Sequence, residues 1–123
     1  MRTTFARTKR TTPARKGSSN RPQNARLDEL IEDAIVDADG ESEQITGFST
    51  MLEENLAVPF KTEVLGVEGT VTRIDVTDDD HIVAVCMRGK TRQRVPILDL
   101  PMPEPPPAGA EWIDAFRRWR RGR

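Results

Sequence analysis

Four carboxylates stand at alternate positions in this chain, at Asp37, Asp39, Glu41 and Glu43, with Gly40 among them. Glu53 and Glu54 follow about three helical turns further on. Carboxylates gathered this closely repel one another unless solvent or a cation lies between them. The chemistry such a set offers is hard-cation binding, since Ca²⁺ takes six to eight oxygen ligands. The other reading is a solvated acidic helix face. An EF-hand is excluded, because its loop needs Gly at position 6 and Glu at position 12. Counting from Asp37 puts Gly40 at 4 and Phe48 at 12. A second run, Asp78, Asp79 and Asp80, reads as a solvated hairpin turn or a weaker cation site, because adjacent side chains diverge.

Other chemistries lack their residues. His81 is the sole histidine, so one chain builds neither a histidine metal cluster nor a histidine triad. No GxGxxG or P-loop pattern occurs, and the reading is non-enzymatic. Cys86 is the sole cysteine and sits in an apolar run. It reads as a buried small hydrophobe in a protein of a reducing compartment, the cytoplasm. No apolar run reaches the length of a membrane span, so no membrane partner is expected.

The elements that position these residues follow from periodicity. Leu27, Leu30, Ile31, Ala34 and Ile35 form the i, i+3, i+4, i+7, i+8 stripe of an amphipathic helix. The pattern breaks at Ala38-Asp39-Gly40, where Asp39 is placed to cap a second helix. That helix spans roughly 41–56 and buries Ile45, Phe48, Leu52 and Leu56. The two form a hairpin that is acidic outside. After Pro59 the period falls to two. Strands are expected at 62–65, 70–76, 81–87 and 91–98, with Pro96 at an edge or strand end. Short strands, tight turns, and Gly66 and Gly69 for bends predict a small curled antiparallel sheet or an SH3-like β-barrel. Residues 101–107, PMPEPPP, form a stiff strap that either simply connects or docks a partner. A helix over 108–123 follows, with Trp112, Ile113, Phe116 and Trp119 on one face, expected against the sheet.

Charge is distributed in blocks. Residues 1–26 hold eight Lys/Arg and no acid, residues 27–64 hold eleven Asp/Glu and one Lys, and the last seven residues hold five Arg. The first block has only Met1 and Phe5 as large apolar residues and reads as a disordered basic tail, solubilising or able to bind nucleic acid or another polyanion. The terminal arginines suit a helix C-terminus, and could bind phosphate or pair with the acidic hairpin.

Residues 27–100 resemble the CcbP-like family of small prokaryotic calcium-binding proteins, known chiefly from cyanobacteria. The residues that carry the resemblance are Ile35-Val36-Asp37-Ala38, then Glu41, Glu43 and Gln44, Gly47-Phe48, Leu52-Glu53, Leu56 and Pro59-Phe60. The resemblance implies an α+β fold: an acidic two-helix hairpin, a small SH3-like antiparallel β-barrel, and here a C-terminal helix. It also implies a bacterial Ca²⁺ buffer or sensor that binds the ion on surface carboxylates. Asp37, Glu41 and Glu43 lie in the matched motif and are the favoured ligands, ahead of Asp39, Glu53 and Glu54. The family's Tyr after Asp-Ala is Asp39 here, and its Gly-Trp-Tyr is Gly47-Phe48-Ser49. The alternative function is a nucleic-acid or ribosome-associated SH3-like module that uses the basic tail, with Leu65-Gly66-Val67-Glu68-Gly69-Thr70-Val71 faintly like the loops of such modules.

Overall fold

A computed structural model of the chain describes residues 21–122, so the basic-tail reading of residues 1–20 falls outside it. Two helices come first, α1 (Arg21–Ile35) and α2 (Glu41–Asn55). A four-strand sheet follows, β1 (Phe60–Val64), β2 (Val67–Val76), β3 (Ile82–Arg88) and β4 (Thr91–Pro96). A 3-10 turn (Ile97–Asp99) and helix α3 (Glu111–Arg121) complete the described chain.

The apolar stripe of α1 is buried as its spacing requires: Leu27, Leu30 and Ala34 are in the core, with Ile31 and Ile35 packed at its margin. The helix starts at Arg21, six residues ahead of the stripe. Pro22 is compatible with a first turn, where its missing N–H has no intrahelical partner to lose. Arg26 is held by Glu29 at 3.6 Å and by Glu111 at 3.2 Å. Residues 21–26 are therefore helix rather than disordered tail. Residues without apolar periodicity gave the sequence no sign of it.

Ile45, Phe48 and Leu52 bury the inner face of α2, and Leu56 closes it at the C-cap. Gly40, at φ 95°, is the N-cap, with no side-chain cap bond. Asp39 does not cap the helix with its carboxylate. Instead its backbone N–H, one residue ahead of the N-cap, donates to Glu43 Oε1 at 2.8 Å, a bond that resembles the Glu half of a capping box. Gly47 is where α1 crosses α2: a Cβ there would lie 2.0 Å from the Ala34 carbonyl oxygen.

The strands pair in chain order as an antiparallel meander, β1-β2-β3-β4. Leu65-Gly66 and Gly89-Lys90 are two-residue turns, with positive φ at Leu65, Gly66 and Gly89 as tight hairpins demand. Thr72 is the extra residue of a bulge in β2. The sheet is open, with β1 and β4 at its edges, and the expected barrel closure is not formed. Its inner face is covered by helix instead of by its own far strand. β4 also ends at Pro96, which has no N–H to extend a ladder.

Helix α3 buries Trp112, Ile113, Ala115, Phe116 and Trp119. It packs on α1, α2 and the 3-10 turn rather than spreading over the sheet. Phe48 meets two of the three rings of α3, with centroids 5.2 Å from Phe116 and 5.2 Å from Trp119. The proline-rich stretch works as a strap within the chain. Pro101 O accepts from the Thr62 hydroxyl on β1, and Ala108 O accepts from Ala57 N–H after α2.

Two expected results arise from this packing. Burial in β3 leaves Cys86 3 % exposed and pushes its thiol pKa up. The thiol should therefore react with an aromatic disulfide reagent only as fast as the protein opens. Fast stoichiometric labelling of folded protein would contradict the burial. On the surface, Arg118 Nε donates to Asp28 Oδ1 at 2.8 Å and holds that carboxyl below its ordinary value. A carboxyl depressed in the folded state adds stability above its unfolded pKa, and that stability is lost as pH falls through the folded value. Arg118→Gln should therefore lose less melting temperature than the parent between neutral and acidic pH. Parallel pH–melting curves would show that the pair does not contribute.

Candidate functional site

The fold brings the two acidic runs to one place. The loop from Thr77 to His81 is fixed by Thr77 N–H to His81 O at 2.9 Å, Asp80 N–H to Thr77 O at 3.0 Å, and His81 N–H to Thr77 Oγ1 at 3.1 Å. Asp80 sits at φ 63°, a conformation that Asp tolerates better than most residues. This turn lies against the first turn of α2, where the Ser42 hydroxyl donates to Asp80 Oδ1 at 3.2 Å. Together they enclose an open cleft of about 240 Å³ lined by Glu41, Ser42, Ile45, Asp79, Asp80, His81 and Arg120. Its cation is internal: Arg120 Nη1 is 4.0 Å from Glu41 Oε2, with its guanidinium 5.8 Å from the centre of the Phe116 ring.

The six residues expected to bind metal are divided by this geometry. Glu41 lines the cleft. Asp37 lies in the turn just after α1, and Asp39 in the link to α2, both exposed. Glu43 serves as the cap on Asp39 N–H, and with Glu41 it lies in the first turn of α2, where negative charge suits the helix dipole. Glu53 and Glu54 are twelve and thirteen residues beyond Glu41 on the same helix, roughly 18 Å along its axis. One ion cannot touch both ends. Glu53 instead borders a separate hollow with Leu52, Leu56, Val58, Arg73 and Ile74.

Ser42, His81 and Arg120 complete the cleft and were not among the expected ligands. In sequence Asp79 and Asp80 read as a solvated turn or a weaker cation site by themselves, with no link to Glu41. No local pattern links Ser42 to Asp80, which is 38 residues away.

The cleft offers carboxylate and hydroxyl oxygens, which fit a hard cation in chemistry. Among the described residues, no three His, Cys, Asp or Glu side chains stand close enough to enclose a metal ion. The four arginines of 117–121 are partly committed elsewhere. Arg118 pairs with Asp28, Arg120 with Glu41, and Arg117 Nη2 donates to Leu98 O at 3.1 Å. A larger groove between α1 and α3, about 780 Å³, is bridged by that Asp28–Arg118 pair.

No family model matches the sequence, and no curated protein matches it significantly. Solved structures do match in three dimensions. One is a calcium-binding protein in its calcium-binding form, with TM-score 0.59 and 21% identity over 87% of this chain and 98% of that one. Another is CcbP of Anabaena, with TM-score 0.58 and 16% identity over 89% of this chain and 94% of that one. At identities this low the likeness speaks to architecture, and in architecture the chain is a structural relative of CcbP.

Proposed function

We propose that this protein is a non-enzymatic Ca²⁺-binding protein, a buffer or sensor, that holds the ion at the cleft between α2 and the β2–β3 turn. The observation that carries this reading is the meeting of Glu41 and Ser42 with Asp79 and Asp80 in one solvent-open cleft. The shared fold supports it, since both matching structures are of proteins described as calcium-binding or named CcbP. Glu41, Asp79 and Asp80 would supply the carboxylate oxygens by turning toward a common point when the ion binds, since they do not converge in its absence, with Asp37 and Asp39 adding negative potential from the adjoining turn. An open cleft without a closed cage leaves much of the coordination shell to water, so affinity is moderate to weak. Glu43 acts mainly as a helix cap, and Glu53 and Glu54 belong to a separate part of the surface. No helix among the described residues is long and apolar enough to cross a membrane. The lone buried Cys86 suits a reducing compartment, and the cytoplasm is the proposed location.

Calcium titration by calorimetry tests the placement. The variant Glu41→Gln/Asp79→Asn/Asp80→Asn should lose the tightest binding, whereas Glu53→Gln/Glu54→Gln should keep it. A ligand that binds only the folded state adds about 2.7 kcal/mol at a hundred times its Kd, so Ca²⁺ should raise the parent's melting temperature more than the same concentration of Na⁺ does. Unchanged calorimetric binding by the cleft variant sinks the placement. An equal thermal response to both ions indicates general screening of the acidic surface instead.

A further inference from the structure

Helices cover one face of the sheet, and the other face carries a different charge. The strand register puts Lys61, Thr70, Met87 and Arg92 in one row across β1 to β4, and Arg73, Val85 and Arg94 in the next. These positions alternate with core residues such as Val71, Ile74, Ala84, Cys86 and Val95, so they share the outer face. Val83 and Val85 are buried there, 5 % and 2 % exposed, yet lie outside the helix-packed cluster. Arg73 and Arg94 are the strand neighbours of Val85 on either side. Arg92 and Arg94 are exposed and form no ion pair among the described residues. Arg73 has only a long contact, 3.9 Å to Asp75 Oδ2. The acids of this face are Asp75 beside Arg73, and Glu63 with Glu68 at the far corner of β1–β2.

We propose that the β3–β4 side of this face, at Arg92 and Arg94, binds the sugar–phosphate backbone of a nucleic acid. Arg92 and Arg94 are two residues apart on one strand, so their side chains stand ~7 Å apart on the same face. They form a row of forked donors suited to successive phosphates. Arg88 and Lys90 extend the positive charge to the hairpin tip. The face carries no aromatic ring for base stacking, so binding is through the backbone and indifferent to sequence. The arginines of α3 take little part, because Arg117, Arg118 and Arg120 are engaged within the fold.

The test is fluorescence anisotropy of a labelled, mixed-sequence single-stranded RNA with the full-length chain, across a salt series. Arg92→Gln/Arg94→Gln should weaken binding several-fold at low salt and reduce the slope of log K against log salt by roughly 1.4, two phosphate contacts at about 0.7 each. Arg118→Gln, which breaks only an internal pair, should leave both unchanged. Wild-type affinity and slope in the double variant would overturn the proposal, as would absence of RNA binding by the parent protein. A changed oligomeric state of the double variant in sedimentation, with RNA binding unaltered, would overturn it in favour of self-association between the acidic and basic faces. Melting curves of each variant establish that it is folded.

Discussion

Phe48→Ala is expected to destabilise the protein by about 3–5 kcal/mol, the range for removing a fully buried aromatic side chain. Phe48 is 0 % exposed, and its ring touches both Phe116 and Trp119, which themselves stack with centroids 5.9 Å apart. The three rings join α2 to α3, so the cavity left by alanine would lie between two elements rather than within one. A domain of this size has roughly 5–15 kcal/mol in total, so the variant should retain only part of its cooperative transition at room temperature. Urea unfolding followed by tryptophan fluorescence measures the loss, because Trp119 reports on the same cluster. A loss under about 1 kcal/mol would mean that the rings do not hold α3 in place.

Gly47→Ala is the second large effect, and here two terms oppose each other. Alanine favours a helix interior over glycine by about 1 kcal/mol. Against that, the new Cβ would stand 2.0 Å from Ala34 O and 3.1 Å from Ala34 C, both backbone atoms with no rotamer to yield. Overpacking of this kind costs typically 1–3 kcal/mol, and more where backbones must part. The clash should win, so the variant melts at lower temperature than the parent. Gly69→Ala is the contrast, since its nearest neighbours would be at 3.4 Å. A stabilised Gly47→Ala would show that α1 and α2 cross more loosely than the Ala34 contact implies.

Local features were legible in the sequence because local physics sets them. The α1 stripe, the inner face of α2, the glycine turns at Gly66 and Gly89, and Pro96 at a strand end need only neighbours a few residues away. The identity of Gly47-Phe48 as a motif was visible, but not its reason, which is a backbone contact with Ala34 and two rings from α3. What escaped is non-local. Whether four strands close or stay open depends on what covers the sheet, and here helices do. The docking of α3 on α1 and α2 likewise depends on surfaces far apart in the chain. The cleft shows this most clearly. Its Glu41 was visible within one acidic run and Asp80 within another, but nothing in either run says that they line one cleft or that Arg120 joins them there.

The position of α3 in the chain also sets an order of events during synthesis. Residues 27–56 present Leu27, Leu30, Ile45, Phe48 and Leu52 early, yet part of their cover is Trp112, Phe116 and Trp119, made more than fifty residues later. At about 5–20 residues per second, the helical hairpin waits several seconds with an uncovered apolar face while the sheet is translated. Over that interval the nascent chain is a substrate for chaperones. The acidic outer surface of the hairpin, whatever ion it later holds, then also serves to keep the unfinished molecule apart from its neighbours on the polysome.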